Sequence, residues 1–238
     1  MPSAPEPGPG DELSADDRKL VADVLRGEYS VLLTALTASW SVSMSRTSLF
    51  LGVLSAAGVA LGFAAQGGEF GTTFFLFALV ILPITLFLGL ATFLRQVQVQ
   101  REAIVYVIGM NRIRHFLAES VPGAARYLVL STHDDELSLY RSPGAGMSRT
   151  PPRWRLGFVL VQVQGVVAVV SAVIAGAIAG LAAAWTAQPP VVTWMLAAAA
   201  FVAMLAVLFT YWSRSIAELQ TSIRPQFPTP DDAVGAPF

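Results

Sequence analysis

Residues 156–213 read LGFVLVQVQGVVAVVSAVIAGAIAGLAAAWTAQPPVVTWMLAAAAFVAMLAVLFTYWS, and these 58 residues contain no charged side chain. A helix of about 20 apolar residues crosses the roughly 30 Å hydrocarbon core of a bilayer. The stretch is therefore long enough for two crossings, and Gln188-Pro189-Pro190 supplies turn residues between them. It predicts a transmembrane hairpin with spans at 156–186 and 191–212.

A second hairpin is predicted earlier in the chain. Residues 47–68 give 22 uncharged positions and residues 70–94 give 25 more, with Glu69 between them. We place these spans at 47–66 and 71–94. The whole chain is 54% hydrophobic and only 13% charged, whereas soluble domains are about 25% charged. The predicted fold class is an all-α integral membrane protein with four transmembrane helices and cytoplasmic helical extensions.

The basic residues predict the orientation, because loops rich in Lys and Arg stay in the cytoplasm. The two hairpin turns have none, residues 95–155 have nine, four precede the first span and two follow the last. Both termini are therefore expected on the cytoplasmic side of a bacterial inner (plasma) membrane. An aromatic belt would place Trp154 and Trp212 at the inner interface, and Trp185 and Trp194 at the outer one.

The parts outside the spans divide by composition. We expect disorder in the Pro-rich residues 1–13, an amphipathic helix at 14–46 capped by Ser14, and a short helix followed by a disordered tail at 214–238. Residues 95–155 form a cytoplasmic helical loop, with a flexible linker at 141–153. Within that loop Ser131 or Thr132 is expected to cap a second helical piece that follows the long one.

Motifs for enzyme chemistry are lacking in the sequence. There are no cysteines and two histidines, His115 and His133, and the formal net charge is −1. His133-Asp134-Asp135 is compatible with a metal or acid–base site, but also with a solvated helix start, where acidic groups favour the helix dipole. We favour the second interpretation, and expect no enzyme, no metal, no cofactor and no nucleic-acid partner.

The first span and the helix that leads into it carry a line of small and hydroxyl-bearing residues. We call this line the stripe: Thr37, Ser41, Ser45, Ser48, Gly52, Ser55, Val59, Gly62 and Gln66. In one interpretation small residues let helices pack closely. In the other, copies of this helix surround an axis and the stripe lines a pore. A similar line in the third span has no hydroxyls and predicts a packing seam: Ala168, Ala172, Gly176, Gly180 and Ala184.

Three arginines are candidates for contacts with lipid head groups. Arg112 and Arg114 lie in the run Asn111–His115, just beyond the predicted second span, and Arg46 directly precedes the first. Basic residues at such positions attract acidic head groups. An exposed helical face beside the membrane would explain the same residues.

Three stretches resemble a group of uncharacterised actinobacterial four-span membrane proteins: SRTSLFLGVLSAAGVALGFAAQ, FFLFALVILPITLFLGLATFLRQ and GMNRIRHFLAES with RYLVLSTHDD. This likeness covers most of residues 27–186 and implies the topology, but no activity. The four spans, the inside termini and Ser45-Arg46-Thr47-Ser48 also resemble Orai calcium channels, whose first helix forms the pore. The acidic selectivity residue of that family has no counterpart in this first span, since Glu69 lies in the hairpin beyond it.

These patterns lead to one main hypothesis about function and two alternatives. The main hypothesis is a homo-oligomeric membrane protein that conducts ions through a pore lined by the first helix. The first alternative is a non-conducting scaffold or sensor that recruits a cytoplasmic protein partner through residues 95–155. The second is a membrane effector in bacterial defence or stress. Membrane lipids are expected partners in every case.

Overall fold

The computed structural model describes residues 14–66, 71–121, 123–140, 142 and 160–230. Its helices are α1 (Ala15–Gln66), α2 (Thr72–Ser120), α3 (Glu136–Tyr140), α4 (Val163–Trp185) and α5 (Pro190–Ser222), with a 3₁₀ turn at Ala124–Tyr127. Within the described residues, α1, α2, α4 and α5 are long and apolar enough to cross a membrane. The predicted all-α fold with four membrane-spanning helices is confirmed. Residues 1–13 and all of the predicted linker 141–153 except Ser142 lie outside the described part.

The helix ends follow local chemistry. The Asp17 backbone N–H donates to Ser14 Oγ at 3.1 Å, so the predicted cap of α1 is confirmed. α1 then continues without a break from the predicted amphipathic segment into the first span. α4 begins later than the predicted start at 156, because the backbone at Gln162 is extended (φ −62°, ψ 151°). α5 starts at Pro190, where proline's missing N–H costs no helical hydrogen bond.

The chain divides into two compact units. The span unit contains residues 37–103 and 160–224 of the described chain. The terminal unit contains residues 14–36, 104–142 and 225–230, and so includes the beginning of α1 and the end of α2.

The core of the span unit is built from apolar side chains of all four long helices. Phe50, Phe93, Val97, Val167 and Leu208 are buried together there. In contrast, many large apolar side chains on the outside of the unit are exposed, as expected for a surface that faces lipid rather than water.

The predicted seam of α4 is a packing surface. Ala168 and Ala172 are fully buried. A Cβ added at Gly176 would lie 2.9 Å from the Ala197 carbonyl oxygen of α5, so the two backbones approach too closely for a side chain. The seam fades at its last predicted member, Ala184, which is exposed while its neighbour Ala183 is buried.

The tryptophans only partly follow the predicted belt. Trp185 and Trp194, at the turn between α4 and α5, are exposed as a belt requires. Trp212 is instead buried, and its indole Nε1–H donates to Gln100 Oε1 at 2.7 Å. The indole N–H of Trp212 is therefore satisfied by a neighbouring helix instead of by the membrane surface, and its level at the inner interface stays a prediction. Trp154 lies outside the described residues.

In the terminal unit, the first turns of α1 pack on the last turns of α2. A Cβ at Gly109 would come 3.0 Å from Leu32 Cδ1, which places the two helices in close contact. α3 is capped by Asp135, whose carboxylate accepts the Ser138 N–H at 2.9 Å. The expected caps, Ser131 and Thr132, do not cap this helix. The Ser131 hydroxyl oxygen accepts the His133 N–H instead.

Candidate functional site

The described part of the stripe faces away from the other helices of the span unit. Eight of its nine residues have their exposure described, and every one of them is exposed; Gln66 lies in α1, but its side chain is outside the described part. The opposite face of α1 is the packed one, with Ser43, Phe50 and Ala57 buried. No helix of the span unit covers the described stripe.

The stripe also has room and hydrogen-bonding capacity. A Cβ added at Gly52 or Gly62 would meet no atom within 4 Å. The Ser55 hydroxyl donates to the Leu51 carbonyl within its own helix at 2.9 Å. Ser48, one turn earlier, makes no hydrogen bond within the described residues. This face is therefore lined by small and hydroxyl-bearing residues, and no side chain of the described residues covers it.

A polar contact holds α1 to α2 and fixes which face of α1 turns outward. The Gln96 amide Nε2–H donates to the Ser43 carbonyl at 3.2 Å and to Thr47 Oγ1 at 2.6 Å. The Ser43 hydroxyl donates back to Gln96 Oε1. Nearby, Glu102 accepts hydrogen bonds from Ser39 Oγ at 2.9 Å and from Arg95 Nη1 at 3.1 Å.

One turn further along α2, Gln100 joins the other two long helices. Its Oε1 accepts from Trp212 Nε1 of α5 at 2.7 Å and, more weakly, from Gln164 Nε2 of α4 at 3.4 Å. Both Gln96 and Gln100 are buried, while Gln98 between them is exposed. Sequence reasoning missed this role. The signal was the alternation Gln96, Gln98, Gln100 directly after an apolar span, since buried amides bond across helices.

Two of the arginines that were candidates for head-group contacts have partners in the terminal unit. Arg112 Nε donates to Asp134 Oδ2 at 2.8 Å. Arg114 donates to Asn111 Oδ1 and to the Tyr29 hydroxyl, both at 2.6 Å, and its guanidinium lies over the Tyr29 ring. Arg46 is exposed and makes no ion pair within the described residues. The head-group role stays a prediction for all three.

The His133-Asp134-Asp135 motif binds the backbone of Gln226, Phe227 and Thr229, which follow α5. Asp134 accepts the backbone N–H of Gln226 at 2.9 Å and of Phe227 at 2.8 Å, and its own N–H donates to the Phe227 carbonyl at 3.2 Å. Asp135 accepts the Thr229 N–H at 2.9 Å. We name residues 225–230 the docked segment. It lies within a tail for which the sequence predicted disorder, and the two carboxylates are the physical reason that it is ordered.

Electrostatics in this motif favour charged carboxylates. Burial raises the pKa of Asp134, but the backbone N–H groups of Gln226 and Phe227 and the Arg112 guanidinium lower it by more, so it lies below its ordinary value. Asp135 behaves in the same way, with burial opposed by hydrogen bonds from Thr229 and Ser138. Carboxylates that accept several N–H groups are stabilised in the charged form.

One histidine, His133, belongs to this motif, and the other, His115, lies beside the docked segment. The His115 ring stacks on Phe227 of the docked segment, with centroids 3.9 Å apart, and its Nε2 lies 3.2 Å from Glu119. The rings of His115 and His133 are 6.1 Å apart. Among the described residues, no three His, Cys, Asp or Glu side chains converge as metal ligands would.

Comparison with protein-family models, with curated proteins and with solved structures finds no match to this chain. The function must therefore be argued from the stripe and its surroundings.

Proposed function

We propose that this protein is a homo-oligomer whose α1 helices face one another through the stripe and line a path for ions or small solutes. The observation that carries the proposal is the exposure of eight stripe residues, from Thr37 to Gly62, on the single chain. Hydroxyl oxygens around an axis can replace part of an ion's hydration shell, as polar rings do in channels.

The composition of the stripe supports an occupant other than lipid. A surface that faces acyl chains is adequately covered by large apolar residues, as at Leu49, which is 70% exposed and adjacent to Ser48. Small and hydroxyl-bearing residues are typical of faces where helices approach each other in membranes. Because α1 uses its opposite face, around Ser43 and Phe50, for its own chain, the stripe is left for further copies.

The experiment uses the absence of native cysteine. Single cysteines are placed at Ser48 and Ser55 on the stripe, and at Leu49 as the matched control about 100° around the helix. The purified full chain is reconstituted in liposomes, and ion flux is measured before and after a charged, water-soluble thiol reagent is added. In parallel, Ser48→Leu and Ser55→Leu are tested for flux.

We expect the reagent to react with both stripe cysteines and to lower flux, while L49C stays unmodified and conducts normally. Flux that is unchanged by Ser48→Leu and Ser55→Leu would overturn the pore. Disulfides between copies at the stripe, without flux or reaction with the reagent, would indicate a dry helix contact and hence the non-conducting alternative. Absence of both cross-linking and reaction would refute assembly through this face.

We also propose that the membrane is the bacterial inner membrane and that both termini are cytoplasmic. The distribution of all fifteen basic residues supports this orientation. Single cysteines at Ser14 and at Gln188 test it in whole spheroplasts. An impermeant thiol reagent should label the cysteine at 188 and spare the one at 14, and the reverse result would refute the orientation.

A second candidate function is recruitment of a protein partner through residues 95–155. It is favoured by exposed apolar side chains after α2, because Tyr127 and Val129 are 73% and 92% exposed. Exposed apolar side chains grouped in one loop are typical of contact surfaces. A photo-activated cross-linker at position 129 should capture a defined soluble protein in the native membrane, and V129D should abolish that product.

A further inference from the structure

A groove of about 570 Å³ runs along one side of α5 in the span unit, and nothing in the proposed pore uses it. Seven of its lining residues come from one face of α5, and Arg101 of α2 completes it. The lining changes character along the helix, from Ala206 and Val207 through Thr210 and Tyr211 to Arg214, Ser215 and Glu218.

The two arginines of the groove are positioned without being neutralised. Arg101 Nη1 donates to the Ser215 hydroxyl at 3.3 Å, which fixes the guanidinium beside α5. Within the described residues neither Arg101 nor Arg214 forms an ion pair. Glu218 lies one turn beyond Arg214, and it too has no ion-pair partner there. Among the described residues, the groove thus offers two cations followed by one anion, none of them in an ion pair.

We propose that this groove binds the head group of a membrane phospholipid. The phosphodiester would lie between the guanidinium groups of Arg101 and Arg214, since guanidinium matches phosphate oxygens with paired N–H donors. Thr210 and Tyr211 line the groove next to these arginines, where the glycerol esters would be, and an acyl chain would follow Val207. Basic pockets between transmembrane helices bind lipid head groups in this manner.

The order of the side chains favours a lipid over free phosphate. Val207 is 64% exposed and leads directly from the groove to the apolar outside of the unit, which only a molecule with an acyl chain would use. Glu218, beyond the arginines, is at the correct end to accept an ammonium group. The groove is therefore expected to prefer an amine-bearing phospholipid such as phosphatidylethanolamine over phosphatidylglycerol.

The test measures lipid binding to the full chain in detergent by native mass spectrometry. Phosphatidylethanolamine, phosphatidylglycerol and inorganic phosphate are titrated separately against the wild type, Arg214→Ala, Arg214→Lys and Glu218→Gln. Arg18→Ala is the matched control, because Arg18 is also exposed and without an ion pair among the described residues but lies outside the groove. Arg214 is exposed, so its replacement is not expected to disturb folding.

We expect Arg214→Ala to weaken phospholipid binding roughly tenfold or more, as loss of a charge-assisted hydrogen bond implies. Arg214→Lys should retain part of the binding, Arg18→Ala should match the wild type, and Glu218→Gln should remove the preference for phosphatidylethanolamine. Equal binding by the wild type and Arg214→Ala, or an equal loss in Arg18→Ala, would overturn the site. Displacement of the lipid by inorganic phosphate at similar concentration would overturn its assignment to a lipid.

Discussion

Asp134→Asn keeps the shape of a fully buried side chain and removes its charge. The carboxylate accepts three donors: the backbone N–H of Gln226 at 2.9 Å, the backbone N–H of Phe227 at 2.8 Å, and Arg112 Nε at 2.8 Å. Asparagine has one acceptor oxygen where aspartate has two, and its NH₂ group must face at least one of these donors. At least one hydrogen bond is therefore lost, and the others lose their assistance from charge.

The expected cost follows from these bonds. A hydrogen bond to a charged group contributes about 1.5–3 kcal/mol, and a buried donor left without a partner costs about 1–3 kcal/mol. We expect Asp134→Asn to destabilise docking of the segment 225–230 by about 2–4 kcal/mol. Since every 1.4 kcal/mol is tenfold, the backbone amides of Gln226 and Phe227 should exchange with solvent roughly 30- to 700-fold faster when exchange follows local opening.

The same interaction predicts a dependence on pH. The pKa of Asp134 is lowered from its ordinary value of 3.8 in the folded protein. Its stabilisation is therefore fully present above 3.8 and is lost as the pH falls through the lowered, folded-state pKa. In Asp134→Asn this acid-dependent loss should be diminished.

Hydrogen exchange with mass spectrometry on the full chain in detergent measures the effect. Glu136→Gln is the matched control, because it removes the same charge two residues away from an exposed side chain. Protection at Gln226 and Phe227 that is unchanged in Asp134→Asn would refute the reasoning. Equal loss of protection in Glu136→Gln would show that net charge, and not the geometry of the carboxylate, holds the segment.

Three further predictions concern the span unit, and thermal unfolding in detergent checks each of them. Gly89→Ala should lower stability by about 1–3 kcal/mol, because the added Cβ would lie 2.6 Å from Ser171 Oγ. Ser171→Ala removes a buried hydroxyl that has no partner among the described residues, so it should be neutral or stabilising alone and should recover part of the loss in the double variant. If the effects of the two substitutions on stability simply add, this contact is contradicted. Gly176→Ala should lower stability by a similar amount, because its Cβ would lie 2.9 Å from the Ala197 carbonyl oxygen. Gly62→Ala should leave the stability of the single chain unchanged, because its Cβ would meet no atom within 4 Å. Equal effects at both positions would argue against the α4–α5 seam. Gln96→Leu should destabilise the contact between α1 and α2 by about 1–3 kcal/mol. Gln98→Leu should not, because Gln98 is exposed. An unchanged unfolding temperature in Gln96→Leu would show that the bonds of Gln96 to Ser43 and Thr47 do not stabilise this contact.

The long helices and the turn between the last two were predictable because one physical requirement dominates them. Hydrocarbon excludes charge over about 20 residues of helix, so charge-free windows locate the spans directly. Pro190 also predicts the start of α5, since proline is favoured in the first turn of a helix. The α4 seam was also predictable, because small residues such as Gly176 let the backbones of two transmembrane helices approach closely.

Side-chain hydrogen bonds between different helices were harder to predict from the sequence, because polar atoms near the end of a span can be satisfied in two ways. The indole N–H of Trp212 can face the membrane surface or a partner in the protein, and the partner here is Gln100, 112 residues earlier in the sequence. The docked segment presents the same difficulty. Its Pro-rich composition is typical of disorder, and its order depends on Asp134, which the sequence places more than 90 residues away.

The orientation of the stripe follows from hydrogen bonds made by other residues of α1, on the side of the helix away from the stripe. Gln96 binds Ser43 and Thr47 on one side of α1, and the burial of Phe50 continues that side into the core. These contacts fix the rotation of α1 about its own axis and leave Ser48 on the opposite side. The fold of the chain and any assembly through the stripe therefore depend on different faces of one helix. For this reason Ser48→Leu should leave the unfolding of the single chain unchanged, so that any loss of flux in that variant reports on the stripe alone.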